Sequence, residues 1–196
     1  MTPYPWLKPG VFIGCLIPLA LMVIDVARGQ LGADPVAIAL NRLGLLALIC
    51  LVASMAATPL RLVCGWSWPL RLRRMLGLFA FFFAVLHFGV YLGVDQGFAL
   101  SAILADITER KFITVGFAAL LVLTPLAATS PHRIRKALGP KRWQRIHRLV
   151  YLAGALAALH FIWRVKRDLT EPLLYATVLG ALLLARVTHK KPRPAR

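Results

Sequence analysis

Six apolar stretches, near residues 10–27, 41–60, 74–93, 112–129, 147–164 and 171–187, leave this 196-residue chain few choices of fold. Each approaches the ~20 residues that a helix needs to cross a ~30 Å hydrocarbon core. Strands of a membrane barrel would run for about ten residues with alternating polarity, and these stretches do not alternate. The expected fold class is an all-α membrane protein, a bundle of six transmembrane helices. The mean hydropathy of +0.72 agrees. The first stretch follows Lys8 in the manner of a signal peptide, but no convincing small-residue cleavage site follows it. It is expected to be retained as a helix.

The formal net charge of +17 raises nucleic acid as a partner, yet the basic residues flank the apolar stretches. Anionic lipid headgroups and the positive-inside rule account for that placement, and nucleic acid is not expected. The N-terminus, the 61–74 and 130–148 loops and the C-terminal end from Arg186 onward hold 17 Lys and Arg, against 7 in the three loops of the other side. Asp34, Asp95, Asp106, Glu109 and Asp168 all fall on the poorer side. Both termini are therefore expected in the cytoplasm, with residues 1–188 forming one membrane domain and 189–196 a basic, disordered tail. Cys15, Cys50 and Cys64 show no CxxC or finger spacing, so zinc and disulfide frameworks are not expected.

Two histidines, His87 and His160, lie deep in the third and fifth stretches. Ionisable groups at membrane depth are rare and usually face a partner or a cavity. His87 follows Arg74 by 13 residues and His160 follows His147 by 13, which puts both roughly 20 Å from the same membrane face at 1.5 Å per residue. Two histidines at equal depth on different helices can ligate one haem iron from its two faces. The alternative is a neutral imidazole hydrogen-bonded to a neighbouring helix. His147, ringed by Arg142, Arg145 and Arg148, reads either as a further ligand or as an interfacial histidine. On an ideal helix it stands about 140° out of phase with His160, so ligation there needs a bulge, a helix end or a different partner. Arg73 and Arg74 are the residues at its depth on the third helix. His132 and His189 read as solvated.

Three segments, RRMLGLFAFFFAVLH (73–87), FITVGFAALLVLTPLAATS (112–130) and RWQRIHRLVYLAGALAALH (142–160), together resemble the MsrQ (YedZ) family. These are haem-binding membrane subunits of bacterial protein-methionine-sulfoxide reductase systems, related to ferric reductase and NADPH oxidase membrane domains. The resemblance covers roughly residues 40 to 165. It implies haem b held by His87 and His160, with His147 matching one member of a second, inner ligand pair. The other inner histidine of ferric reductases falls at Arg73, where this chain departs from the pattern. An arginine there, or Arg74 beside it, would suit a haem propionate or a flavin phosphate.

The resemblance further implies FMN as a cofactor, quinol or a cytoplasmic flavin reductase as electron donor, and the periplasmic molybdopterin subunit MsrP as partner in a bacterial inner membrane. No GxGxxG after a strand is present, so the donor is expected to be a separate protein or the quinone pool. The chain itself is expected to carry electrons rather than catalyse sulfoxide reduction. Competing readings are another quinol-oxidising cytochrome b, a small proton-coupled transporter without haem, and a non-catalytic membrane anchor.

Overall fold

A computed structural model describes residues 5–189. Its elements are α1 (Leu7–Ala27), α2 (Pro35–Cys64), α3 (Pro69–Val90), α4 (Leu100–Glu109), α5 (Lys111–Ala128), α6 (His132–His147), α7 (Val150–Arg164) and α8 (Thr170–Thr188). A π-helical turn, Tyr91–Asp95, prolongs α3. Among the described residues six helices are long and apolar enough to cross a membrane, with α6 and α7 counted as one. The protein is an all-helical, multi-pass membrane protein. The tail from Lys190 onward lies outside the described residues.

Two helix pairs form the frame: α2 packs most extensively on α3, and α5 on α7, while α8 closes against α2 and α7. Lipid supplies no hydrophobic drive between helices, so small residues that let backbones approach carry the packing. A Cβ on Gly154 of α7 would stand 3.1 Å from Met55 Sδ of α2, and one on Gly77 of α3 would stand 3.4 Å from Ser54 Oγ. Phe83, Ala80 and Ala153 are fully enclosed at the contacts. Leu21, Leu121 and Leu184 remain more than half exposed, as suits side chains that face hydrocarbon rather than water. Asp25 is paired with Arg42 at 2.9 Å, which neutralises the one acid inside the first span.

The ends of the helices depart from the expected boundaries for local reasons. α2 starts six residues before the expected 41, because Asp34 caps it, accepting from the Ala37 N–H at 2.9 Å, with Pro35 at the first helical position. It stops at Gly65, whose φ of 75° only glycine takes up readily. Two helices fall in stretches expected to be loops. α4 has only ten residues, too short to register as a span. α6 is rich in basic residues and is broken at Gly139, where φ is 72° ahead of Pro140.

The boundary between α6 and α7 departs from the ideal-helix phase beside His147. There Arg148, Leu149 and Tyr151 donate to Arg145, Ile146 and Arg148, each three residues back. Such 3₁₀ steps advance about 120° per residue instead of 100°. The tightened turn reduces the 140° offset between His147 and His160 by roughly 60° without closing it. Gly154→Leu, which overfills the α2–α7 contact, is expected to destabilise the bundle by about 1–3 kcal/mol. A lowered thermal midpoint in detergent measures it; an unchanged midpoint would contradict this packing.

Candidate functional site

Two cavities lie one above the other along the bundle. The larger, about 530 Å³, is lined by the N-terminal half of α2, the C-terminal half of α3, the first two-thirds of α5 and the end of α7. The smaller, about 250 Å³, lies between the start of α3, the end of α5 and the α6–α7 junction. Leu51 and Leu123 line both and form the wall between them.

The larger cavity brings together His87 and His160, their ring centroids 6.1 Å apart and their planes crossed at 84°. Each ring is anchored to the partner helix of its own pair. His87 Nδ1 lies 2.8 Å from the carbonyl of Leu40 on α2, and His160 Nδ1 lies 2.7 Å from that of Phe112 on α5. A carbonyl only accepts, so in both rings Nδ1–H is the donor and Nε2 keeps its lone pair. That tautomer is the one a metal ligand requires, with a backbone carbonyl fixing its orientation.

The two anchors are built alike. In an α-helix the carbonyls of Leu40 and Phe112 accept from the N–H groups four residues on, those of Gly44 and Gly116. A Cβ at Gly116 would stand 2.6 Å from His160 Nδ1, and one at Gly44 would stand 3.3 Å from His87 Nδ1. A side chain at either place would push the imidazole off its carbonyl. Sequence reasoning missed these glycines. Their visible trace is the repeated spacing in LNRLG (40–44) and FITVG (112–116), which means nothing until the histidines are placed.

The arrangement fits a metal centre that takes two axial ligands. Imidazole nitrogens about 2 Å from a shared metal put the ring centroids roughly 6 Å apart, close to the spacing found. The volume lies within the roughly 300–1,000 Å³ of ligand pockets. The surrounding wall is apolar, including Leu45, Leu48, Ala84, Phe88, Ala119 and Leu120, as a porphyrin requires. Among the described residues no group of three His, Cys, Asp or Glu side chains converges to hold a bare metal ion.

His147, Arg73 and Arg74 all line the smaller cavity together with Arg135, and no carboxylate does. Arg73 reaches Thr58 Oγ1 at 3.4 Å and accepts from Ser54 Oγ at its carbonyl. His147 stacks on Trp143 at 4.0 Å between centroids. Its Nε2 is 3.2 Å from Thr129 Oγ1, while that hydroxyl lies 2.6 Å from the Pro125 carbonyl. The carbonyl takes the hydroxyl proton, so His147 Nε2–H donates to Thr129. This is the opposite tautomer from that of His87 and His160. His132 and His189 are exposed.

The family model described as ferric reductase like transmembrane component matches residues 43–158, which include His87 and His147 and stop two residues before His160. A Deinococcus radiodurans protein is 53% identical over 99% of this chain and 96% of its own length. One from Rhodospirillum rubrum is 52% identical over 90% and 85%, and one from Bordetella pertussis 46% identical over 92% and 88%. All three bear the name protein-methionine-sulfoxide reductase heme-binding subunit MsrQ.

In protein labelled with ¹⁵N-histidine, His160 is expected to carry its proton on Nδ1. Gly116→Ala is expected to displace that ring and change its resonances. Gly89→Ala, with nothing within 4 Å of the new carbon, is expected to change neither His87 nor His160. An unmoved His160 signal in Gly116→Ala would contradict the anchor.

Proposed function

The chain belongs to the MsrQ family of ferric reductase-like transmembrane proteins, and from that premise we propose that it is a haem b electron-transfer subunit of a methionine sulfoxide reductase system. The observation that carries the reading is the crossed pair of imidazoles, each held by a backbone carbonyl with Nε2 left available. A haem bound there supplies a one-electron iron couple in a water-poor site. His87 and His160 would hold its iron through their free Nε2 atoms, and ligation by two imidazoles would favour electron transfer over oxygen binding. Gly44 and Gly116 let the helices carry the rings without strain, and Leu51 with Leu123 separates this site from the basic cavity.

We assign one haem to the chain. Support comes from His147, whose Nε2 is engaged by Thr129, and from the smaller cavity, whose lining holds no second histidine. Its 250 Å³ is below the usual ligand range of roughly 300–1,000 Å³. Arg73, Arg74 and Arg135 give that cavity an uncompensated positive charge suited to the side where an anionic or quinol donor delivers electrons. They would also suit the phosphate of FMN, but the cavity is small for a whole flavin, and we assign no FMN site.

The remaining parts of the reading rest on the family and on charge. The basic loops support a topology with both termini on the cytoplasmic side of a bacterial inner membrane. Quinol or a cytoplasmic flavin reductase then supplies electrons, and a periplasmic molybdopterin subunit, MsrP, receives them. Reduction of methionine sulfoxide returns a polar, chiral side chain to its flexible apolar form, which restores damaged packing.

Purified protein with ample haem is expected to show a low-spin b-type reduced-minus-oxidised spectrum, with one haem per chain by pyridine haemochrome. His87→Ala and His160→Ala are expected to abolish that spectrum, and His147→Ala to keep it. Two haems per chain, or loss in His147→Ala, would overturn the single-haem assignment. A wild type without b-type bands would overturn the electron-transfer reading.

A further inference from the structure

The mouth of the larger cavity holds three arginines, and their partners differ. Arg42 is paired with Asp25 at 2.9 Å and Arg110 with Asp106 at 3.3 Å. Arg164 instead donates to the side-chain oxygen of Asn41, a neutral amide. Among the described residues no carboxylate lies within ion-pair distance of it. A guanidinium has five N–H donors in a rigid fork that matches a carboxylate, so most of its capacity is unspent.

Its position is set by the same helix that carries a haem ligand. Arg164 follows His160 by four residues on α7, which puts it one turn along on the same face. Its guanidinium carbon lies 5.9 Å from the centre of the Phe161 ring, and its charge bears on both His87 and His160. The acids that also line the mouth, Asp34, Asp95 and Glu171, sit at helix ends. Asp34 is already engaged as a helix cap and Asp95 with Gln96.

Resting on the haem reading above, we propose that Arg164, positioned by Asn41, binds a propionate carboxylate of the haem. It thereby turns the acid edge of the porphyrin toward the mouth of the cavity. The same cation disfavours the extra positive charge of ferric iron, so it raises the potential of the couple. Arg42 and Arg110 contribute little, because their own acids neutralise them.

The test compares wild type with Arg164→Lys and Arg164→Gln in the purified full chain. Each is titrated with haem b and, separately, with the dimethyl ester of the same haem, which has no carboxylates. All three proteins keep both axial histidines, so all should give low-spin spectra. That retention is the control for folding. Arg164→Gln is expected to bind haem b about tenfold more weakly than wild type, as for loss of one charge-assisted hydrogen bond at a partly exposed site. Arg164→Lys should recover part of the loss, and the diester should bind all three alike. Redox titration of Arg164→Gln is expected to show about a tenfold shift toward the ferric form, about 59 mV for one electron.

Equal haem b affinity in wild type and Arg164→Gln would overturn the proposal. So would an equal loss with the diester, since Arg164 would then act without touching a carboxylate. A wild type that binds neither porphyrin would instead remove the haem reading on which the proposal rests.

Discussion

The proposed site in this bundle depends on two hydrogen bonds from imidazole Nδ1–H to main-chain carbonyls, His87 to Leu40 and His160 to Phe112. Each bond fixes three things at once: the tautomer, the orientation of the ring, and the distance between the two helices of a pair. In lipid a free imidazole N–H has no water to turn to, so the bonds hold through fluctuations that would release them at a surface. The crossed geometry of the rings follows from the frame, since one ring hangs from the α2–α3 pair and the other from the α5–α7 pair.

The polar residues elsewhere obey the same accounting. Asp106 is buried but accepts from Tyr91, Gln96 and Arg110, which ties α4 back to the π-turn that ends α3. Among the described residues no buried side-chain polar atom lacks a partner. Arginines stand out against this background where their partners are neutral: Arg73 on Thr58 and Arg164 on Asn41. A positive charge in a cavity wall at the edge of the membrane without an acid beside it is costly, and both arginines suit the anionic groups that the proposed reading brings to the two cavities.

Six apolar blocks and the depth of His87 and His160 were legible in the sequence, because both depend only on helix rise and on the thickness of the membrane. The anchors were not, since a carbonyl carries no sequence signal and Gly44 and Gly116 look like any other small residues in an apolar run. α4 and α6 escaped because hydropathy detects spans and not short amphipathic or basic helices. At His147 the ideal-helix phase left a bulge or a helix end open, and the 3₁₀ steps between α6 and α7 are such an end. Arg73 and Arg74 do reach the cavity of His147, but no hydrogen bond or ion pair among the described residues links Arg73 to the imidazole.

The most direct test of the central claim is an electron paramagnetic resonance spectrum of the ferric wild-type protein. Two imidazoles crossed at nearly a right angle on one iron split its orbitals little, so a single, strongly anisotropic low-spin signal is expected. A high-spin spectrum, or the rhombic low-spin signal of parallel imidazole planes, would contradict the claim that His87 and His160, as their carbonyl anchors hold them, ligate one haem.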